Sequence, residues 1–149
     1  MKDSEHELRM ELKYVKEAIP CDNQRLLIAD DEKMVRNVLD KVIKFNLPNC
    51  RIDLAVNGAE AVGSFREIHQ RVILMDIKMP VMNGIAAFSE ITKMCENNNW
   101  EMPSVLFCTG YVPSPHIKKI IERNSNHACF LKPIKNEVLL KAITMRLNV

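Results

Sequence analysis

The chain has 149 residues, enough for one domain with a real core. Hydrophobic residues make up 47% and charged residues 27%, and the net charge is only +2, which gives no ground for direct nucleic-acid or anionic-membrane binding. No apolar run nears the ~20 residues that span a bilayer, and the opening MKDSEHELRMELKYVKEAIP is too charged for a signal peptide.

Residues 1–22 read as an amphipathic helix or linker. Leu8, Leu12, Val15 and Ile19 form one narrow helical stripe, ended by Pro20. Such a stripe fits a helix docked on its own domain. It equally fits a linker or a contact for a homodimer. Residues 23–149 read as a single domain. Arg25-Leu26-Leu27-Ile28-Ala29 is a short apolar run that ends on Asp30-Asp31. Met34, Val35, Val38, Leu39, Val42 and Ile43 then follow at helical spacing, stopped by Asn46 and Pro48. Arg51 to Val56 alternates as a strand, Asn57-Gly58 turns, and Ala61, Val62, Phe65 and Ile68 mark a second helix. Val72-Ile73-Leu74-Met75 ends on Asp76, and a third helix carries Ile85, Phe88, Ile91 and Cys95. Ser104 to Cys108 ends on Thr109-Gly110, and Ile117, Ile120 and Ile121 mark a short helix after Pro115. Ala128 to Leu131 ends on Lys132-Pro133 before a final helix with Val138, Leu139, Ala142, Ile143 and Leu147.

Five strand–helix pairs in strict alternation predict a parallel α/β sheet with helices on both faces. The cysteines, Cys21, Cys50, Cys95, Cys108 and Cys129, are odd in number and form no C-x-x-C pair. No His stands at metal-ligand spacing from them. They predict a reducing cytoplasm, with neither a disulfide framework nor a zinc site.

The polar residues that end the apolar runs carry the chemistry. Asp30, Asp31, Asp76, Thr109 and Lys132 each directly follow such a run. A parallel sheet puts all strand ends on one edge, where open α/β sheets bind ligands. Singly, each residue has a plain reading as a helix cap, a turn residue or a solvated end. Together they place three carboxylates, a hydroxyl and an ammonium in one cleft. Three close carboxylates repel unless a cation compensates, and Mg²⁺ suits such a set. A carboxylate can attack phosphorus to give an acyl phosphate, with Lys132 and the metal neutralising charge and Thr109 donating to a phosphoryl oxygen.

The strings LLIADDE at 26–32, ILMDIKMPVMNG at 73–84, LFCTG at 106–110 and FLKP at 130–133 resemble the receiver domain of two-component response regulators. The resemblance covers roughly residues 24–147. It implies a flavodoxin-like (βα)5 doubly wound sheet of strand order 2-1-3-4-5, here with an extra N-terminal helix. It implies Asp76 as the phosphoacceptor, and Mg²⁺ held by Asp30, Asp31, Asp76 and the backbone carbonyl of Lys78. Thr109 matches the switch hydroxyl, Lys132 the phosphoryl-pairing lysine, and the Lys132-Pro133 bond is expected to be cis. The implied partner is a histidine kinase or histidine phosphotransfer protein. The implied role is that of an autocatalytic phosphoacceptor rather than a turnover enzyme, with a phosphorylation-independent interaction module as the alternative.

The chain departs from the family pattern in places. Cys129 stands where the family usually has an aromatic ring, and Phe130 is expected on the opposite face. Trp100, in the stretch ENNNWEMP, reads as a cap on the sheet's edge. Lys78 and Tyr111 flank the expected path of the hydrolytic water, which predicts a long-lived phosphoryl group.

Overall fold

The computed structural model describes residues 18–148. Five strands form one parallel sheet: β1 (Asp22–Ala29), β2 (Arg51–Ala55), β3 (Gln70–Asp76), β4 (Ser104–Thr109) and β5 (Ala128–Leu131). Their order is β2-β1-β3-β4-β5. Between and after them run α1 (Lys33–Asn46), α2 (Gly58–Ile68), α3 (Gly84–Asn98), α4 (Pro115–Arg123) and α5 (Asn136–Thr144). This is the expected flavodoxin-like doubly wound arrangement, in the expected order. β1 starts three residues before its apolar run and β3 two before its own, and Asp22 and Gln70 at these starts pair with each other.

Strand alternation splits the core into two layers. Leu26, Ile28, Val72, Leu74 and Leu106 face α1 and α5, packing on Ile43, Leu139 and Ile143. Leu27, Ala29, Ile73, Met75, Val105 and Phe107 face α2, α3 and α4, packing on Phe65, Ile91 and Ile117. Cys129 joins the second layer and Phe130 the first, as the period-2 reading requires.

Side chains fix the helix starts. Asn57, Asn83 and Ser114 each accept an N–H from the first turn of α2, α3 and α4. Glu60 returns the favour by accepting the Val56 N–H at 3.1 Å.

The N-terminal stripe meets the structure at one residue. Leu8, Leu12 and Val15 lie outside the described residues. Ile19 does not continue a helix: it makes a parallel bridge with Trp100. Its N–H donates to the Asn99 carbonyl at 2.9 Å, and its own carbonyl accepts from Glu101 at 2.8 Å. Trp100 therefore does not cap the sheet's edge. It stands edge-on to His69 at 4.5 Å and to Phe65 at 6.5 Å, where it holds the incoming chain against the end of α2.

The β3–α3 loop holds Val81 at φ 68°, with the side chain 84% exposed. Left-handed backbone costs an L-residue about 1–2 kcal/mol, and a β-branched one gains nothing there to offset it. Val81→Gly should remove that strain at a smaller entropic cost of about 0.5–1 kcal/mol. The expected result is a melting temperature a few degrees higher in a thermal unfolding scan. A lower one would place Val81 outside the left-handed region.

Candidate phosphoacceptor site

Sheet register assembles the site. Ala29 pairs with Met75, so the following residues, Asp30 and Asp76, lie side by side. Asp76 pairs with Cys108, and Thr109 pairs with Leu131. Thr109 and Lys132 thus each stand one position further out. The Lys132 N–H donates to the Thr109 carbonyl at 2.7 Å, and the next bond is the cis Lys132-Pro133 peptide.

The charged groups converge. Carboxylate oxygens of Asp30, Asp31 and Asp76 lie within 4.8 Å of one another. Lys132 Nζ is 3.2 Å from Asp30 Oδ2 and 3.5 Å from Asp76 Oδ2. Asp30 is fixed at both ends. Its Oδ1 accepts the Glu32 N–H at 2.9 Å, and its carbonyl accepts from the Arg36 guanidinium at 2.8 Å.

The titration of these groups reflects crowding. Burial pushes the Asp76 carboxyl above its ordinary value; Lys132 opposes this, Asp30 and Asp31 add to it, and the net direction is upward. Burial pulls the Lys132 ammonium down, but Asp30 and Asp76 more than offset it, and it ends above its usual value. Three carboxylates against one ammonium leave negative charge uncompensated in a half-dry site. An oxygen-only donor set of this kind fits a hard divalent cation such as Mg²⁺.

Two clefts open at this edge of the sheet. One, of about 450 Å³, opens between α1 and α5 with Asp30, Asp76 and Lys132 at its floor and Val35, Leu39, Ile134 and Leu139 on its walls. Cys108 also lines it, its thiol pushed up to about 12 by burial and so neutral. The other, of about 140 Å³, is lined by Lys78, Thr109 and Tyr111. There the Thr109 hydroxyl oxygen accepts the Tyr111 N–H at 3.1 Å, and Lys78 Nζ sits 3.9 Å from the centre of the Tyr111 ring. The predicted residues therefore divide. Asp30, Asp31, Asp76 and Lys132 come together, while Thr109 and the Lys78 side chain lie on the neighbouring side.

Sequence reasoning missed several supports. Arg36 gave no signal beyond being an arginine one turn into a helix. The apolar walls of the larger cleft were read only as helix core. Two glycines fasten the β3–α3 loop. The Gly84 N–H donates to the Ile77 carbonyl at 2.8 Å, and a Cβ there would meet the Asp76 carbonyl oxygen at 2.2 Å. The Gly58 N–H donates to the Met82 carbonyl at 2.9 Å, where a Cβ would meet the same oxygen at 2.4 Å.

Comparison with known proteins agrees with this geometry. The chain is 27% identical over 121 residues to the chemotaxis protein CheY of Halobacterium salinarum, covering 81% of this chain and 94% of that protein. It is 42% identical over 71 residues to a protein-glutamate methylesterase/protein-glutamine glutaminase of Aliivibrio fischeri, covering 48% of this chain but only 19% of that protein. In fold it is similar to the receiver domain of Ssk1 of Saccharomyces cerevisiae, crystallised with the histidine phosphotransfer protein Ypd1. The TM-score is 0.71 at 23% identity, covering 88% of this chain and 91% of that one. The family model for the response regulator receiver domain matches residues 26–144. With that match laid over a sheet edge of this composition, the chain belongs to the response regulator receiver domain family, the phosphoacceptor modules of two-component signalling.

Proposed function

We propose that Asp76 accepts a phosphoryl group from a phosphohistidine of a histidine kinase or histidine phosphotransfer protein. The observation that carries this reading is the Lys132 ammonium bridging Asp30 and Asp76 at 3.2 and 3.5 Å on the sheet's carboxyl edge. An Asp76 carboxylate oxygen attacks phosphorus in line, a P–O bond forms, the P–N bond breaks and the imidazole leaves with the electron pair. Lys132 is placed to follow charge onto the phosphoryl oxygens. Thr109 keeps its hydroxyl proton free to donate, since its oxygen accepts from Tyr111. Receiver domains typically use Mg²⁺, and here the carboxylates of Asp30, Asp31 and Asp76 and the Lys78 carbonyl would hold it, where it supplies charge neutralisation. The co-crystallised Ssk1 and Ypd1 pair supports a phosphotransfer protein as donor.

The larger cleft, walled by apolar residues of α1 and α5, offers the donor protein an apolar surface beside the acceptor. The acyl phosphate then competes for the Thr109 hydroxyl and draws it from the Tyr111 N–H, which biases the β4–α4 loop between two states. Cys129, in the place of the usual ring, leaves Tyr111 as the aromatic residue tied to Thr109. The domain works as a phosphoacceptor that catalyses its own charging and discharging rather than as a turnover enzyme. Among the described residues no helix is long and apolar enough to cross a membrane. The odd cysteine count supports a cytoplasmic setting.

The test is incubation with acetyl phosphate and Mg²⁺ or with a phosphorylated histidine phosphotransfer protein, read by intact mass. One phosphoryl adduct, labile to hydroxylamine as an acyl phosphate is, is expected. No adduct from either donor would move the reading to an interaction module independent of phosphorylation.

The Lys78–Tyr111 pair bears on how long the adduct lasts. A cation held on an aromatic face is worth about 0.5–1 kcal/mol where exposed, and this one lines the small cleft with Thr109. Removing it should open a path for water. Lys78→Ala is expected to speed loss of the adduct about twofold to fivefold, the range that about 0.5–1 kcal/mol of barrier gives. A decay time course by mass spectrometry checks this, and an unchanged rate would end the idea.

A further inference from the structure

A second charged surface lies away from the phosphoacceptor edge. On α4, His116, Lys119 and Arg123 follow at spacings of three and four, so they form one stripe along the helix. Together with Lys93 of α3 they border a groove of about 390 Å³ floored by Phe88 and Ile120. No carboxylate lines this groove. Lys93 makes an exposed pair with Glu90 at 3.7 Å, which in water is worth little. Lys119 and Arg123 have no ion-pair partner among the described residues, and His116 adds ring nitrogens to the same rim.

The floor packs on β4, the strand that ends at Thr109. Phe88 packs on Phe107 of β4 at 5.4 Å and stands edge-on to His127 at 5.2 Å. The His127 Nδ1 in turn accepts the Val105 N–H of β4 at 3.0 Å. The stripe-bearing wall starts at Pro115, the far end of the loop that leaves β4 at Thr109. Both walls of the groove therefore connect to Thr109, one through the packed core and one through the loop.

We propose that the α3–α4 groove is the docking site for an acidic amphipathic segment of a protein partner. Its apolar side chains would sit on Phe88 and Ile120 and its carboxylates on Lys93, Lys119 and Arg123. An apolar floor between cationic rims matches such a helix or strand. A nucleic acid would want a wider basic field than a chain of net charge +2 presents. The ligand chemistry stands on the groove alone, and only its coupling to phosphorylation rests on the function proposed above.

The test uses the full chain, isotope-labelled, titrated with a synthetic peptide carrying Glu and Leu at amphipathic helical spacing. Amide shifts are expected at Ser89, Thr92, Lys119 and Arg123. The double variant Lys119→Glu, Arg123→Glu should weaken binding by at least about tenfold, with the loss shrinking at high salt. Both positions are exposed, so the fold survives, and the double variant Lys41→Glu, Lys44→Glu on α1 controls for net charge. Unaltered affinity in the double variant, no binding, or shifts confined to α1 would overturn the proposal. Displacement of the peptide by an equal concentration of duplex DNA would overturn it in favour of a nucleic-acid surface. An Asp76→Asn chain should bind the peptide as wild type does, so failure of phosphorylation and failure of the groove are read separately.

Discussion

An Asp76→Asn chain should take up no phosphoryl group and yet, at pH 7, melt at a higher temperature than wild type. The first half follows from chemistry, since an amide nitrogen or oxygen cannot form the acyl phosphate. The second half follows from linkage. The Asp76 carboxyl is raised in the folded state, by burial first and by Asp30 and Asp31 after it. A carboxyl raised on folding contributes stability that is present in acid, where it is protonated, and lost as pH rises through the folded value. At pH 7 wild type therefore carries the cost of a desolvated, repelled carboxylate that asparagine does not. The gap between the two melting temperatures should close in acid, below the carboxylate range. It should also narrow on adding Mg²⁺, which stabilises whichever chain binds it better. Thermal scans at pH 7 and in acid, with and without Mg²⁺, check this. A lower melting temperature for Asp76→Asn at pH 7 would show that the Lys132 ion pair outweighs the repulsion.

Gly84→Ala should be the most damaging single methyl near the site. Its Cβ would lie 2.2 Å from the Asp76 carbonyl oxygen and 2.9 Å from Met75 Cγ. The oxygen is backbone in a central strand and cannot step aside, so the loop or the strand end must shift. Overpacking of this sort costs about 3 kcal/mol, the upper part of the usual range. A shift of about 1 Å in Asp76 would slow phosphorylation about a hundredfold. Gly63→Ala is the control. It lies inside α2, nothing stands within 4 Å of its added Cβ, and alanine there should stabilise by about 1 kcal/mol. Denaturant unfolding and the rate of adduct formation read the pair. Equal stability of Gly84→Ala and wild type would mean that the loop has room.

The sequence showed most of what local pattern controls. Each strand end announced itself as an apolar run stopped by a polar residue, and parallel pairing then set Asp30 beside Asp76 and Lys132 beside both. Period-2 alternation placed Cys129 and Phe130 on opposite faces correctly. What stayed hidden depends on partners distant in sequence. Ile19 continues a helical spacing in the sequence, but its backbone is claimed by Asn99 and Glu101, some eighty residues on. Trp100 looked like an edge residue because nothing local reveals His69 and Phe65 beneath it. Gly58 reads as a turn residue and Gly84 only as part of a motif; that each is needed for a close approach to another segment's carbonyl is a property of packing. Arg36 could be read only as a helix surface residue until Asp30's carbonyl was seen within its reach.

The two clefts at this sheet edge share no lining residue, which makes the strand ends a watershed. The roomy basin drains toward α1 and α5, and the small one toward the β4–α4 loop. Under the proposed function, the leaving imidazole and the later water would both stand opposite the same Asp76 oxygen, so charging and discharging would share one route. A change at Lys78 or Tyr111 should then alter both rates together, while a change at Val35 or Leu39, in the other basin, should bear on which partner docks. A signalling chain built this way would have its wiring and its timing set on different slopes.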